Sequence, residues 1–385
     1  MNGGHSGPLA GIRIVDLTIN VLGPVATQVL GDMGADVIKI EPPGGDPMRG
    51  VGPARNPGMS AFFLNMNRNK RSVEMDLKEP HQAQALRQLV AGADVFVHSM
   101  RTKAIDRLGF GYADLARENP RLIYASAPGY KPDGPHRDRP SYDDVIQGES
   151  GLADMMRLAN GNPAFFPTVL ADKYIGTSLA SAIGMALFAR ERTGRGQQVQ
   201  VPMLETMLAF NLIEHLWSGA FGDGGALGYH RALSPHRRPH ATRDGFICVM
   251  AQSDQQWRRF FAVCGIPELA EDSRFCTLKA RTENIGALYA LLSENIATRT
   301  TSEWRAILDE QEIPNGPVLR LEEMPADPYL VETGFFQPYQ HPTEGPLVGL
   351  AIPHVFSHTP PSVRLPPPRL GEHNAEVLRT VGLDR

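Results

Sequence analysis

Cysteine is scarce in this chain, and its scarcity excludes two classes of protein. Cys248, Cys264 and Cys276 are the only three among 385 residues, and none of them forms a CxxC pair. Neither a disulfide-stapled scaffold nor a zinc cluster is therefore indicated. So few cysteines suit a reducing compartment, and we expect a cytoplasmic location.

Long apolar runs and an excess of positive charge are missing as well. No stretch approaches the ~18 apolar residues of a membrane helix, and Met1–Gly7 does not resemble a secretion signal. A net charge of -4 and a pI near 6.3 argue against nucleic acid as a partner. His230, His236 and His240 lie in a Pro- and Arg-rich stretch without an HExxH pattern, so we interpret them as a solvated loop and expect no metal.

Strand and helix signals alternate along the first third of the chain. A β-branched run at 12–17 precedes a helical pattern over 23–33, and a second strand is predicted at 36–40. Further strands are predicted at 72–77, 94–98 and 122–126, with helices at 81–90 and 104–118. This order predicts a parallel sheet covered by helices on both faces. The architecture is Rossmann-like, but no GxGxxG follows the first strand, so no dinucleotide is indicated.

Changes in composition divide the chain further. We predict an α/β protein with a large Rossmann-like domain over 1–200, a linker over 201–224 and a small α+β domain over 225–319. Residues 320–385 are expected to return to the large domain and complete it. The Gly-, Pro- and Arg-rich stretch 44–57 is interpreted as a long surface loop.

Six short blocks follow one another in a recognisable order. They are GDMGADVIKIEP at 31–42, NKRSVEMDLK at 69–78, YD with Gln147 and SG at 142–151, ADKYIG at 171–176, TGRGQ at 193–197 and LGEH at 370–373. In this order and spacing the chain closely resembles the class III CoA-transferases, a family that includes formyl-CoA:oxalate and carnitine CoA-transferases. The resemblance covers nearly the whole chain.

The resemblance implies that Asp172 is a covalent nucleophile in the exchange of coenzyme A between carboxylic acids. Asp172 is expected to form an anhydride and then an aspartyl-CoA thioester. We expect it to open a helix whose N-terminus keeps the carboxylate ionised, with space for the thioester beside Gly176. The structural alternative is that Asp172 is an ordinary N-cap.

The same resemblance implies a binding site for coenzyme A, which acts as substrate; no permanently bound cofactor is expected. Fixed cations are needed for the phosphates of coenzyme A. The residues assigned to this site are Met75, Lys78, Ser99, Met100, Arg101, Arg107 and Arg139. The alternative for the basic residues among them is a solvated surface charge.

Two stretches depart from formyl-CoA transferase and bear on the acid substrate. Residues 19–22 are largely apolar, and 233–238 lacks the glycines of a mobile flap. Oxalate is therefore not expected as acceptor. Tyr142 is assigned to the substrate site, and Arg237, Arg238 and His240 are candidates to recognise the second carboxylate of a larger diacid. A solvated basic loop is the alternative for the last three.

Two other functions stay open. An α-methylacyl-CoA racemase uses the same Asp as an acid/base with an upstream His; no His stands in register here, although His136 is near. A non-catalytic acyl-CoA-binding protein is the alternative from another class. The resemblance also implies a homodimer whose two chains interlock.

Overall fold

A computed structural model describes residues 6–383 of the chain. Residues 1–5 lie outside the described residues. They belong to the segment Met1–Gly7, which is predicted not to be a secretion signal. Among the residues described, the helices are too short or too polar to span a lipid bilayer.

Strands and helices are numbered in chain order, apart from four short 3-10 helices. The strands are β1 Arg13–Leu17, β2 Asp36–Glu41, β3 Lys70–Glu74, β4 Val95–His98, β5 Ile123–Ser126, β6 Gln197–Gln200, β7 His240–Ala241, β8 Phe246–Val249, β9 Asn315–Pro317, β10 Phe336–His341 and β11 Gly345–Leu350. The α-helices are α1 Leu22–Asp32, α2 Ala61–Leu64, α3 Pro80–Ala91, α4 Thr102–Arg107, α5 Tyr112–Glu118, α6 Asp143–Glu149, α7 Leu152–Asn160, α8 Leu170–Thr193, α9 Met203–His215, α10 His230–Leu233, α11 Asp254–Val263, α12 Leu278–Glu283, α13 Ile285–Ile296, α14 Thr301–Glu310, α15 Pro328–Glu332 and α16 Asn374–Arg379.

A six-stranded parallel sheet in the order β3-β2-β1-β4-β5-β6 confirms the predicted Rossmann-like architecture. Alternate residues of β1, β2, β4 and β5 enter two cores. One face, with Ile14 and Val97, packs against α1 and α8. The other, with Val15 and Phe96, packs against α3, α5 and α16. The strand order reverses between β1 and β4, and ligands of such sheets bind at the carboxyl ends of the strands near this point.

The chain divides into two compact units. The first takes in the described residues of Met1–Leu152, Phe165–Phe210 and Glu332–Arg385, and the second comprises Ala153–Ala164 and Asn211–Val331. The second unit has an antiparallel sheet in the order β7-β8-β9 and an aromatic core that includes Trp257, Phe260 and Trp304. The predicted small domain, 225–319, lies inside this wider unit, and the stretch predicted as a linker is largely helical, with α9 at its start.

Two local predictions are wrong. The helix predicted over 104–118 is two helices, α4 and α5, because Gly109 adopts a left-handed φ of 80° between them. The stretch 44–57 is only partly a surface loop. Asp46 and Arg49 within it are 1% and 4% exposed, because they pair with charges on β2.

Charged side chains are buried where β1, β2 and β3 meet α1. The Lys39 ammonium donates to Asp46 Oδ2 and to the Thr18 carbonyl, both at 2.8 Å. Arg49 binds both carboxylate oxygens of Glu41 at 2.7 Å. Buried charges need such partners, since each ion loses its hydration on folding.

The same group of side chains connects distant parts of the chain. Glu41 accepts a 2.6 Å bond from the Ser72 hydroxyl, which in turn accepts from the Gly371 N–H at 3.0 Å. Arg49 donates to the carbonyl of Pro368 at 3.2 Å. The C-terminal segment is thereby joined to the edge of the parallel sheet.

We expect Glu41→Gln to destabilise the first unit by about 3–5 kcal/mol at pH 7, because it leaves the buried Arg49 without its counter-ion. Burial by itself raises the pKa of Glu41, but the hydrogen bond from Arg49 and the charges of Lys39 and Arg49 lower it to about 2. The stabilisation is therefore complete above the unfolded pKa, about 4.5, and is lost as the pH falls towards 2.

Hydrogen exchange of peptides from β1–β3 at several pH values measures this effect in the first unit. Tryptophan fluorescence would report on the other unit, since Trp217, Trp257 and Trp304 all lie in the second unit. Glu118→Gln is the matched control, because its ion pair with Arg87 is partly exposed. Equal protection in the two variants would contradict the assigned role of Glu41.

Candidate active site

Asp172 is the third residue of the 24-residue helix α8. The helix begins at Leu170 and Val169 occupies the N-cap position, so the alternative that Asp172 is itself the N-cap is wrong. The Asp172 N–H donates instead to Asp143 Oδ1 at 3.0 Å. A carboxylate from α6 thus satisfies one of the N–H groups that every helix start leaves unpaired.

Gln147 connects Asp143 to the segment that leads into α8. Its side-chain amide donates to Asp143 Oδ2 at 2.5 Å and to the Thr168 carbonyl at 3.3 Å, while its oxygen accepts from the Phe166 N–H at 2.8 Å. Asp143 and Gln147 are 5% and 1% exposed. Sequence reasoning gave them no role, although their (i, i+4) spacing places both on one face of α6.

The half-buried carboxylate of Asp172 is strongly perturbed. Burial, followed by the charges of Asp143 and Asp144, raises its pKa to about 7. Loss of hydration and the two neighbouring carboxylates thus act against the helix N-terminus, which is expected to favour the ionised form. Carboxyl groups perturbed in this way are frequent at catalytic sites.

Gly176 has a packing role one turn after Asp172. A Cβ at this position would lie 2.5 Å from the Leu22 carbonyl oxygen and 3.2 Å from Val25 Cβ. The space beside Gly176 is thus filled by α1, and the expectation that it receives a thioester is wrong. The glycine lets α8 approach α1 closely, which sets where Asp172 lies relative to the carboxyl end of β1.

The turn between β1 and α1 is the segment that departs from formyl-CoA transferase. Asn20 in this turn has a φ of 66°, which is uncommon outside glycine and frequent at ligand sites. Its N–H donates to Asp46 Oδ1 at 3.1 Å. The buried charges therefore hold this turn directly as well as through Thr18.

Most residues assigned to coenzyme A follow the carboxyl ends of parallel strands. Ser99, Met100 and Arg101 come directly after β4, and the Met100 N–H donates to His98 Nδ1 at 3.2 Å. Arg101 is the N-cap residue of α4 and donates to the carbonyl of Asp138 at 3.4 Å.

Lys78, Arg107 and Arg139 are exposed cations of the first unit. Lys78 follows β3, and Arg107 ends α4. Arg139 bonds Glu149 at 3.1 Å and lies over the ring of Tyr130, 5.3 Å from its centroid.

Met75 differs from the other assigned residues. Its side chain is 2% exposed and packs in the sheet core beside Val73. Its N–H is donated to the Glu41 carbonyl at 2.8 Å. Met75 therefore supports the end of β3 from within the core.

The residues assigned to the acid substrate fall in both units. Tyr142, 66% exposed, is the N-cap residue of α6 in the first unit. Arg237, Arg238 and His240 line a cavity of about 550 Å³ in the second unit. Across residues 6–383, no group of three or more His, Cys, Asp or Glu side chains is placed to hold a metal ion.

Comparison with known proteins shows the family. The model of CoA-transferase family III matches residues 9–374. Human succinyl-CoA:glutarate CoA-transferase is 32% identical over 380 residues, which cover 97% of this chain and 86% of the relative. Formyl-CoA:oxalate CoA-transferase of Rhodopseudomonas palustris is 32% identical over 404 residues, covering 97% and 93%. A CAIB/BAIF family protein from Brucella suis has a TM-score of 0.81 at 32% identity, covering 98% and 100%.

The parallel sheet, the carboxylate at the start of α8 and these similarities define a class III CoA-transferase fold. The chain belongs to CoA-transferase family III. It is an enzyme that transfers coenzyme A between an acyl-CoA and a carboxylic acid, which confirms the prediction from the six blocks.

We expect Asp144→Asn to lower the pKa of Asp172, because it removes one of the two negative charges that raise it. If the ionised form reacts, the acid limb of the pH dependence of kcat/KM moves to lower pH, and the rate at pH 6 rises relative to that at pH 8. Glu149→Gln, at the far end of α6, is the control and should leave the limb in place. Identical profiles for wild type and Asp144→Asn would show that another group titrates.

Proposed function

We propose that Asp172 carries the transfer covalently. Its carboxylate attacks the thioester carbonyl of the donor acyl-CoA, which gives a mixed anhydride and coenzyme A thiolate. The thiolate then attacks the aspartyl carbonyl and releases the donor carboxylate, leaving an aspartyl-CoA thioester. The acceptor carboxylate attacks this thioester, and the returning thiolate attacks the acceptor's acyl carbon, regenerating Asp172 and releasing the new acyl-CoA.

The observation that carries this proposal is the setting of Asp172 at the start of α8. Burial and two carboxylates raise its pKa to about 7, so half of it is ionised near neutral pH. The ionised half is poorly hydrated and more basic than an ordinary aspartate, and both properties favour attack on a carbonyl. Asp143 and Gln147 hold the backbone on either side and limit its motion.

We expect Asp172→Asn to fold and to lose CoA exchange by about a thousandfold or more. Asn keeps the shape of the side chain, so the loss isolates the chemistry from the stability of the helix. Wild type incubated with acyl-CoA alone should gain a hydroxylamine-sensitive adduct on the peptide that carries Asp172, detected by mass spectrometry.

Asp144→Asn is the control, because Asp144 lies near Asp172 and affects only its pKa. In this variant the adduct on Asp172 should still form. An active Asp172→Asn, or an adduct on another carboxylate, would overturn the covalent role. Epimerisation of a 2-methylacyl-CoA without exchange would instead support the racemase chemistry.

Coenzyme A is proposed to lie at the carboxyl ends of β3, β4 and β5. Lys78, Arg101, Arg107 and Arg139 supply cations there for the phosphates, which match the position where such sheets bind nucleotides. Ser99 and Met100 would contact the nucleotide from the turn after β4, whose backbone His98 holds. Met75 would support the end of β3 from the core beneath the nucleotide.

We expect Arg107→Ala to raise the KM for acyl-CoA about tenfold with little change in kcat, since a remote phosphate contact acts equally on ground and transition states. Arg117→Ala is a matched control on α5, where the guanidinium pairs with Asp114. Steady-state kinetics with varied acyl-CoA measures both. An unchanged KM would place the nucleotide elsewhere.

A dicarboxylate is the proposed acceptor. The relatives named above include one for glutarate and one for oxalate, and Arg237 and Arg238 line a cavity large enough for a small diacid. Two guanidinium groups suit a second carboxylate. Val21 and Leu22 are 5% and 6% exposed, so Ile19 is the apolar side chain of the stretch 19–22 that would favour a longer acid than oxalate.

An interlocked homodimer, in the cytoplasm and without a permanent cofactor, completes the proposal. Met185 and Phe188 on α8 are 68% and 65% exposed; exposed apolar side chains on one helix face are typical of association surfaces. The three cysteines are free thiols, as the cytoplasm favours. Native mass spectrometry should give twice 42.1 kDa with no added mass, and a monomer would refute the dimer.

A further inference from the structure

The cavity of the second unit contains a histidine that is buried but incompletely bonded. His240 is 4% exposed and lines the cavity with Arg237 and Arg238. Its Nδ1 lies 2.7 Å from Ser293 Oγ. Within residues 6–383 no group bonds to Nε2, and this nitrogen is not among the solvent-excluded polar atoms that lack a partner. Nε2 therefore faces the cavity.

The contacts of Ser293 indicate which nitrogen of His240 carries the proton. The Ser293 hydroxyl has one hydrogen, and the Tyr289 carbonyl, at 2.9 Å, can only accept it. Both contacts of Ser293 are therefore hydrogen bonds only in the tautomer in which His240 Nδ1 bears a hydrogen and donates it to Ser293, and in that tautomer Nε2 presents a lone pair. Burial, followed by the charge of Arg238, lowers the pKa of His240, and the ring stays neutral near pH 7.

The cavity also offers donors of two kinds. Arg237 and Arg238 are exposed cations on its wall. Tyr289 lines it too, and its hydroxyl oxygen accepts from Arg231 Nε at 3.0 Å, which leaves the hydroxyl hydrogen to be donated. These three groups can donate hydrogen bonds to a carboxylate. A carboxylate alone, however, has no hydrogen to donate to Nε2 of His240.

We propose that this cavity selects an acid acceptor that carries a hydroxyl group close to its second carboxylate. The carboxylate binds Arg237, Arg238 and the Tyr289 hydroxyl, and the substrate hydroxyl donates to Nε2 of His240. The inference rests on the proposed transfer to a dicarboxylate and names a narrower class of acid. A site built to accept a substrate hydroxyl discriminates against the analogue that lacks it, since its buried acceptor is then unpaired.

Cys248 allows the binding to be measured without catalysis. Its thiol is exposed and lines the same cavity, whereas Cys264 and Cys276 are outside it and serve as internal controls. The rate of alkylation by iodoacetamide is followed for each cysteine by mass spectrometry, with malate or succinate added to the full-length protein. The two acids differ only in one hydroxyl group.

We expect malate, as one of its enantiomers, to protect Cys248 at a concentration about tenfold lower than succinate, the difference typical of one added hydrogen bond. His240→Phe should bring the ratio close to one, and His236→Phe, on the same loop but outside the cavity lining, should preserve it. Ser293→Ala keeps the imidazole of His240 but removes the partner of its Nδ1, so either ring nitrogen can carry the hydrogen and the ratio should also fall. This variant provides the test if His240→Phe does not fold.

Equal protection by the two acids, or a preference for malate that survives in folded His240→Phe, would overturn the inference. Protection of Cys248 by coenzyme A alone, with neither acid active, would overturn it as well and assign the cavity to the nucleotide. CoA exchange onto mixed acids is measured in parallel. Selective protection without CoA exchange would refute the proposed function and leave the binding preference in place. CoA exchange without selective protection would refute the binding preference and leave the proposed function in place.

Discussion

The pairing of Lys39 with Asp46 and of Glu41 with Arg49 is the constraint on which the large unit depends. Both pairs are buried near the carboxyl end of β2, where an unpaired charge would be very costly. Lys39 also binds the carbonyl of Thr18, and Asp46 binds the N–H of Asn20. These bonds determine how the chain leaves β1 and enters α1. Since Gly176 brings α8 against the first turn of α1, they also limit where the carboxylate of Asp172 lies.

Asp143 has two different effects on Asp172, and they are useful together. Its carboxylate accepts the Asp172 N–H, which orders the start of α8. Its negative charge, added to burial, makes ionisation of Asp172 less favourable. A group held rigidly and kept near its pKa at neutral pH is suited to gain and lose an acyl bond repeatedly. Gln147 belongs to the same arrangement, because it fixes both Asp143 and the residues before α8.

The sites proposed for the two substrates differ in local structure. The cations assigned to coenzyme A are mostly exposed and follow strand ends, which suits phosphates that remain partly hydrated. The cavity with His240 has a buried ring that is hydrogen-bonded to Ser293, which suits the proposed selection among small acids. Discrimination between similar acids requires buried, oriented groups, while affinity for phosphate requires mainly charge.

Repeating local patterns were readable in the sequence. The alternation of β-branched runs and helical faces predicted the parallel sheet. The capping box of Thr300 and Glu303 marks the start of α14. Glycine was harder to interpret. Gly109 divides a predicted helix because its left-handed backbone is decided by the fold around it.

The sequence by itself determined the family, the alternation of strands and helices that builds the parallel sheet, and the carboxylate at position 172, because these depend on patterns of neighbouring residues. Only the tertiary structure decided the state of that residue. The raised pKa of Asp172 depends on burial and on carboxylates about thirty residues away, and Gly176 serves packing because α1 occupies the adjacent space. The burial of Asp46 and Arg49 likewise depends on strand ends that approach one another only on folding. Electrostatic energies depend on distance and hydration in space, and sequence separation contains neither.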